Sequence, residues 1–125
     1  MKEIIATTEA PAAIGPYSQA VEANGMVFVS GQIPLNPATG EVQGEDVREQ
    51  TTQVFKNIQA ILQEAGLNLN NVLKTTVLLA DMSDFAAMNE VYAAHFAKPF
   101  PARSAFAVKT LPKNVRIEIE VIAAR

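Results

Sequence analysis

One apolar stripe on a long predicted helix constrains this chain more than any other sequence feature. Apolar residues recur at helical spacing over residues 47–65, after the capping residue Asp46 and before Gly66, which ends the helix. The β-branched run at residues 72–79 follows and predicts a strand. A helix with one apolar face must bury that face, so this pair predicts a helix packed on a sheet.

Further elements are predicted on both sides of this pair. Strands are predicted before the long helix at residues 2–6, 17–22 and 26–33, with Asn24-Gly25 as a hairpin turn. After residue 79 a second helix is predicted at residues 85–96, and two strands at residues 103–108 and 116–122. The order predicts one α+β domain over residues 1–125, a mixed sheet with two helices on one face. We expect another copy of the chain to bury the other face, as a homo-oligomer.

Composition excludes several classes of function. The net charge of the 125 residues is -3, and the ten basic residues are scattered, so no nucleic acid is expected as a partner. Because the chain has no cysteine, disulfides, thiolate nucleophiles and cysteine-type zinc sites are excluded. No apolar run has the length of a signal peptide core or a membrane span. We therefore expect a cytoplasmic protein with no membrane partner.

Two segments near the C-terminal end carry the residues best suited to chemistry. In residues 101–108, strand alternation places Arg103 among small side chains, including Ala105. In residues 116–122, Glu118 lies on the face opposite the apolar one. A guanidinium is a fork of donors that matches a carboxylate, so Arg103 is a candidate anchor for an anionic small molecule. Glu118 is a candidate to act on water or on a proton.

The same pattern also fits a cross-strand Arg/Glu pair on a solvated face. If residues 111–114 centre a simple hairpin, Glu118 lies opposite Ala107, and Arg103 lies four residues further along, about 13 Å away. Three explanations then stay open: a ligand and water bridge the gap, a neighbouring subunit supplies one side, or the strands form no plain hairpin. The first two suit a cleft at a subunit seam.

Several motifs in order along the whole chain give a specific resemblance. They are Ile14-Gly15-Pro16-Tyr17-Ser18-Gln19-Ala20, Val29-Ser30-Gly31-Gln32-Ile33-Pro34, residues 89–92, Pro101-Ala102-Arg103-Ser104, Leu111-Pro112-Lys113 and Ile117-Glu118-Ile119-Glu120. With these motifs the chain resembles the RidA (reactive intermediate deaminase, or YjgF) family. The resemblance implies a chorismate-mutase-like α+β fold, and a homotrimer whose sheets form a central barrel with a ligand cleft at each subunit interface.

The resemblance also implies an activity and a site. Active members of the family hydrolyse 2-imino acids such as 2-iminobutanoate and 2-iminopropanoate to 2-oxo acids and ammonia, which protects pyridoxal-phosphate enzymes. On this sequence, Arg103 corresponds to the residue that clamps the substrate carboxylate and Glu118 to the one that positions the hydrolytic water. The other implied substrate contacts are Tyr17, Ser30, Gly31, Asn89 and the backbone N–H of Ala105, where many relatives carry cysteine.

No metal or cofactor is expected for this chemistry. A protonated 2-imine is already electrophilic at C2, so orientation and a held water accelerate its hydrolysis without further groups. The acidic residues have no ligand-like spacing, and the single histidine, His95, fits a structural or exposed role. The protein therefore needs little catalytic machinery.

Structural readings of the same residues stay open at this point. Tyr17 also fits a core aromatic, Ser30 a strand serine, Gly31 a bulge and Asn89 a residue on the solvent edge of a helix. Two other functions are open as well. One is a non-catalytic module that binds 2-oxo acids, and the other is a holdase chaperone.

Overall fold

The computed structural model describes all 125 residues and contains a single mixed sheet with two α-helices. Its elements are β1 (Glu3–Ile5), β2 (Ala20–Ala23), β3 (Met26–Gln32), α1 (Val47–Glu64), β4 (Val72–Leu79), α2 (Phe85–His95), β5 (Ala102–Ala107) and β6 (Ile117–Ala124). The strand order in the sheet is β1-β2-β3-β6-β4-β5. The predicted α+β class, with a mixed sheet, is confirmed.

Local sequence signals set the ends of these elements. The Asp46 side chain accepts a hydrogen bond from the backbone N–H of Glu49, which caps α1 at its start. Gly66 ends the helix with φ +77°, a conformation that favours glycine. Asn24 and Gly25 also have positive φ, 53° and 76°, and connect β2 to β3 as the predicted tight hairpin.

One face of the sheet carries both helices and the core. Strand β6 shows the division, because Ile117, Ile119 and Val121 are buried beneath the helices while Glu118 and Glu120 alternate with them on the other face. Helix α1 buries its apolar stripe here, and α2 packs beside it. The prediction of two helices on one face is confirmed.

The last two strands form no hairpin, which is one of the three explanations that the sequence left open. Strand β5 runs parallel to β4 at the edge of the sheet, and β6 is inserted between β3 and β4. A short turn at Pro112–Asn114, with Lys113 and Asn114 at positive φ, carries the chain to that central position. The physical reason is burial: the isoleucines of β6 need strands on both sides and helices above, whereas β5 consists mostly of small or exposed residues.

The second face of the sheet has no helix over it. This open face, as we call it, presents Phe28 and Phe106, which are 44% and 48% exposed, and also Ile4, which is 58% exposed. Strand β5 leaves one of its backbone edges unpaired. No helix of the protein combines the length and the hydropathy that a membrane span requires.

Candidate functional site

Glu118 lies on the open face, in a cavity of about 460 Å³ that is also lined by three of the expected substrate contacts. Tyr17, Ser30 and Gly31 line this cavity with it. Tyr17 is 52% exposed, so the alternative that it is a core aromatic is wrong. We call this group of four residues the Glu118 half-site.

The Glu118 carboxylate lies directly on the backbone of Gly31. A Cβ placed on Gly31 would stand 2.0 Å from Glu118 Oε2 and 2.9 Å from Glu118 Cδ. The register of β3 against β6 shifts between Val29 and Gln32, so Gly31 lies in an irregular stretch of the strand. This agrees with the alternative that Gly31 marks a bulge. A side chain at this position would displace the Glu118 carboxylate, so glycine is what allows this close approach.

The surroundings of Glu118 disfavour its charged form. Burial raises the pKa of the Glu118 carboxyl above its ordinary value, and the Glu120 carboxylate on the same strand face raises it further. Glu120 lines the same cavity. A carboxylate with a raised pKa is a better proton acceptor when it is ionised, which suits a group that activates water.

The wall of this half-site is built by hydrogen bonds to backbone. The Ser30 hydroxyl donates to the carbonyl of Ser18 at 2.6 Å, so it is committed to the protein. The buried Gln19 side chain accepts from the N–H of Thr7 at 2.7 Å and donates to the Thr7 and Pro11 carbonyls at 3.0 and 2.8 Å. These bonds fix the N-terminal loop, whose Pro11 lines the cavity.

Arg103 lies on the helix side of the edge strand β5. Its Nη1 donates to Asn89 Oδ1 at 2.7 Å, and its guanidinium carbon lies 4.7 Å from the ring centre of Tyr92 and 5.4 Å from that of Phe85. The Tyr92 hydroxyl shares a 2.8 Å hydrogen bond with Thr75, which fixes the ring. Arg103, Asn89 and Tyr92 line a cavity of about 410 Å³, and we call these three residues the Arg103 half-site.

Arg103 is the one arginine without a carboxylate partner. The other three are paired, namely Arg48 with Glu90, Arg116 with Asp84 and Arg125 with Glu22. The amide oxygen of Asn89 orients the Arg103 guanidinium but does not neutralise it. Its positive charge is therefore available to a ligand anion.

Ala105 lies two residues after Arg103 on the same strand and is partly buried against the core. The backbone N–H of Val108 donates to the carbonyl of Leu79 on β4 at 2.9 Å. Because the direction of the N–H alternates along a strand, that of Ala105 points to the unpaired edge. This donor is thus placed to meet a group from outside the chain.

Within one chain, Arg103 and Glu118 lie on opposite faces of the sheet. Thr75 of β4 pairs with Arg103 on one side and Val121 on the other, and is buried under α2, whereas Leu78 pairs with Glu118. Strand spacing separates the two backbone positions by about 10 Å across the sheet and about 10 Å along it. The alternative of a direct cross-strand ion pair is therefore wrong.

His95 takes no part in either half-site. Its ring stacks on Phe55 with centroids 4.4 Å apart, and its Nδ1 lies 2.8 Å from the carbonyl oxygen of Val91. This is the structural role that the sequence allowed. No group of three or more histidine, aspartate or glutamate side chains has an arrangement that could hold a metal ion.

Two features of the site were missed by the sequence reasoning. Tyr92 stood at the end of the motif at residues 89–92 and was given no role, although its ring supports Arg103. Gln19 was recognised within a motif but given no role, although it ties down the wall of the Glu118 half-site. A buried glutamine beside a proline-rich loop is a usable signal, because such a loop presents carbonyl groups that need donors.

Comparisons with known proteins agree on one family. The family described as Endoribonuclease L-PSP matches residues 7–125. A mouse protein named 2-iminobutanoate/2-iminopropanoate deaminase is 49% identical over 125 residues, which are 100% of this chain and 93% of the relative. The crystal structure of RidA from a Psychrobacter species is 46% identical with a TM-score of 0.95, over 98% of this chain and 99% of that one.

The crystal structure of Escherichia coli TdcF with bound serine is also similar, at 47% identity and a TM-score of 0.92, over 98% of each chain. These likenesses extend over nearly the whole chain. The expected fold family is confirmed, since the solved structures that match so closely are members of it. From its family match, its relatives and its fold, the chain belongs to the RidA (YjgF) family.

Proposed function

We propose that this protein is a RidA-type hydrolase that converts 2-imino acids to 2-oxo acids and ammonia. In this proposal the Arg103 half-site of one copy meets the Glu118 half-site of a neighbouring copy, within a homotrimer. The mouse relative named 2-iminobutanoate/2-iminopropanoate deaminase supports the reaction class and those two substrates. The serine bound to E. coli TdcF supports a small ligand with an α-carboxylate.

The observation that carries the proposal is the division of the two charged groups between opposite faces. Arg103 lies on an edge strand without a carboxylate partner, and Glu118 lies in a separate cavity on the open face. Neither cavity alone holds both a carboxylate clamp and a water activator. A second copy placed against the open face and its apolar side chains would complete the site.

The chemistry follows from the groups that such a site would bring together. Arg103 holds the substrate carboxylate, and the outward N–H of Ala105 adds a second donor. The Glu118 carboxylate accepts a proton from water while the oxygen of that water bonds to C2 of the protonated imine. Glu118 returns that proton to the nitrogen of the resulting carbinolamine. The C–N bond then breaks with its electron pair on ammonia while the hydroxyl oxygen forms the C=O bond, and the hydroxyl proton passes to the ammonia. The products are the 2-oxo acid and ammonium.

The cavity beside Arg103 also bears on the substrate. Ala93, Phe100 and Pro101 line it together with the half-site. An apolar lining of this kind suits a short aliphatic side chain, as in 2-iminobutanoate, better than a charged one. We propose that the protein protects pyridoxal-phosphate enzymes, because dehydratases of that class release such imines.

A coupled assay tests the proposal. A threonine dehydratase generates the imine, semicarbazide traps it, and the protein competes with the trap by forming 2-oxobutanoate. We expect Arg103→Ala to lower the rate of imine hydrolysis at low substrate concentration by about 100-fold, because the clamp binds the substrate carboxylate. Arg48→Ala, which removes an exposed and paired arginine, serves as the matched control and should hydrolyse like the wild type.

Two results would contradict the proposal. One is hydrolysis by Arg103→Ala at the rate of the wild type. The other is binding of 2-oxobutanoate in calorimetry by a wild-type protein that does not accelerate imine loss, which would favour the non-catalytic binding module.

A further inference from the structure

Three amide side chains form a buried row on one face of α1. Gln50, Gln53 and Asn57 follow each other at helical spacing and are 5%, 8% and 1% exposed. We call this row the amide ladder. None of the three lines either cavity, and the proposed reaction does not use them. Their burial in an apolar environment therefore needs another reason.

Two members of the ladder hold the segment that follows β3. Asn57 Nδ2 donates to the carbonyls of Ile33 and Leu35, at 3.2 and 3.0 Å. Gln53 Nε2 donates to Asn57 Oδ1 at 2.9 Å, which fixes that amide, and to Leu35 at 3.3 Å. Both Ile33 and Leu35 line the cavity of Glu118. The ladder thus fixes the backbone next to Gly31.

The third member holds the strand that carries Glu118. Gln50 Oε1 accepts from the backbone N–H of Arg116 at 2.8 Å, just before β6 begins. Its Nε2 donates to the carbonyl of Gly44 at 3.1 Å. One helix face therefore reaches both backbones whose relative position sets the contact between Gly31 and Glu118.

The pairing of β3 with β6 does not supply this restraint at Gly31, although β4 pairs with β6 on its other side, where Leu78 lies opposite Glu118. The register of β3 against β6 is interrupted between Val29 and Gln32, where Gly31 meets Glu118. Strand pairing fixes neighbouring backbones only where the ladder of hydrogen bonds is continuous. At the bulge the amide ladder adds a second restraint, because its side chains reach both the segment after β3 and the residue before β6.

From this arrangement we infer that the amide ladder of α1 positions Glu118 for catalysis by holding the segments beside Gly31 and before β6. The expected loss of kcat rests on the proposed function. The expected effect on the surroundings of Glu118 does not depend on it. Gln50, Gln53 and Asn57 are thus positioning residues, which act through the backbone and touch no substrate.

Two variants release the ladder from opposite ends. Asn57→Leu keeps the volume but leaves the Ile33 and Leu35 carbonyls without this donor, and Gln50→Met releases Arg116. Thr51→Val is the matched control, because Thr51 is fully buried on the same helix and its hydroxyl bonds only to the Val47 carbonyl within that helix. Thermal unfolding of all three variants measures the stability that each change removes.

The kinetic measurement separates positioning from stability. We expect Asn57→Leu and Gln50→Met to lower kcat by about 10- to 100-fold per folded site, since small displacements of a catalytic group are costly. We expect KM to change less than about twofold, because the Arg103 half-site is untouched. A kcat equal to that of Thr51→Val, after correction for the folded fraction, would overturn the inference.

A second measurement does not depend on imine hydrolysis. The carboxyl carbon of Glu118, assigned by its loss in Glu118→Gln, is followed by NMR during a pH titration of the assembled protein. The group faces Glu120 from its own strand and Tyr17 from the segment before β2, while Leu78 lies opposite it on β4. Burial raises the pKa of Glu118, so a loosened site should let water in and bring it back toward the ordinary value.

We expect this fall in pKa in Asn57→Leu and Gln50→Met but not in Thr51→Val. An unchanged titration of Glu118 in both variants would overturn the inference even if the deaminase activity is real. Conversely, a wild-type protein with no deaminase activity and the expected fall in pKa would refute the proposed function and leave the positioning role standing.

Discussion

The two half-sites hold their charged groups in opposite ways. Arg103 stands on an edge strand, where an amide and two aromatic rings orient it and no carboxylate neutralises it. Glu118 stands on the central strand β6, pressed onto the backbone of Gly31 and partly removed from water. The first arrangement leaves the guanidinium without a neutralising partner. The second holds the carboxylate in one position by close packing.

This difference assigns separate tasks to the two regions. A guanidinium remains charged at any ordinary pH, so in the proposed reaction its half-site would supply substrate binding that does not depend on pH. A carboxylate whose pKa is raised by burial and by Glu120 changes charge nearer to working conditions. We therefore expect changes in the Arg103 half-site to act mainly on KM, and changes in the Glu118 half-site to act mainly on kcat and its pH dependence.

The largest effect should come from Gly31→Ala. The added methyl group would lie 2.0 Å from Glu118 Oε2, so the carboxylate must leave its position. We expect kcat for imine hydrolysis to fall by about 100-fold, with little change in KM. Steady-state kinetics in the coupled assay measure both quantities.

A double-mutant cycle provides the control for that change. In a Glu118→Ala background the clash is absent, so Gly31→Ala should cause almost no further loss. A full loss in that background would mean that Gly31 acts by some other route, and the account of the close fit would be wrong.

A smaller effect is expected from Asn89→Asp. The new carboxylate would lie where Asn89 Oδ1 now accepts from Arg103 at 2.7 Å, and it would neutralise the free guanidinium. We expect KM to rise by about 10-fold or more, and by more than in Asn89→Ala, which removes only the orienting contact. Equal KM values for the two variants would contradict the claim that the free charge of Arg103 is what matters.

The smallest effect, a shift in pH dependence, is expected from Glu120→Gln. Removing the neighbouring carboxylate lowers the pKa of Glu118, because one of the two causes of its rise disappears. Glu118 then stays ionised to lower pH, so the acid limb of the kcat profile should move to lower pH. The Glu9→Gln variant, on an exposed loop, is the control. An acid limb that moves to higher pH would contradict the claim that Glu120 raises the pKa of Glu118.

Sequence patterns were sufficient for the layers of the fold. The apolar stripe of α1, its cap at Asp46 and its end at Gly66 depend on nearby residues alone, and the structure has all three. The partner of β5 was not predictable in the same way. The choice between a hairpin with β6 and a parallel place beside β4 depends on the burial of the whole sheet, which local alternation does not encode.

The sequence named Arg103, Glu118 and most of the residues beside them, but it did not predict that the two groups lie on opposite faces of the sheet. Strand alternation gave the faces of Arg103 and Glu118 within their own strands, and the family motifs supplied the other contacts. That the two faces are opposite ones depends on which strands lie between them, so it needed the topology. The amide ladder was missed because polar residues beside an apolar stripe are common on helices that face solvent.

Mixing of inactive chains tests most directly the claim that two copies share each site. Arg103→Ala and Glu118→Ala chains are assembled together in equal amounts, and imine hydrolysis is measured against each variant alone. In a ring of three, every mixed assembly regains one intact site, so random mixing should restore about a quarter of the wild-type activity. Mixed assemblies as inactive as the separate variants would contradict the account, because each site would then belong to a single chain.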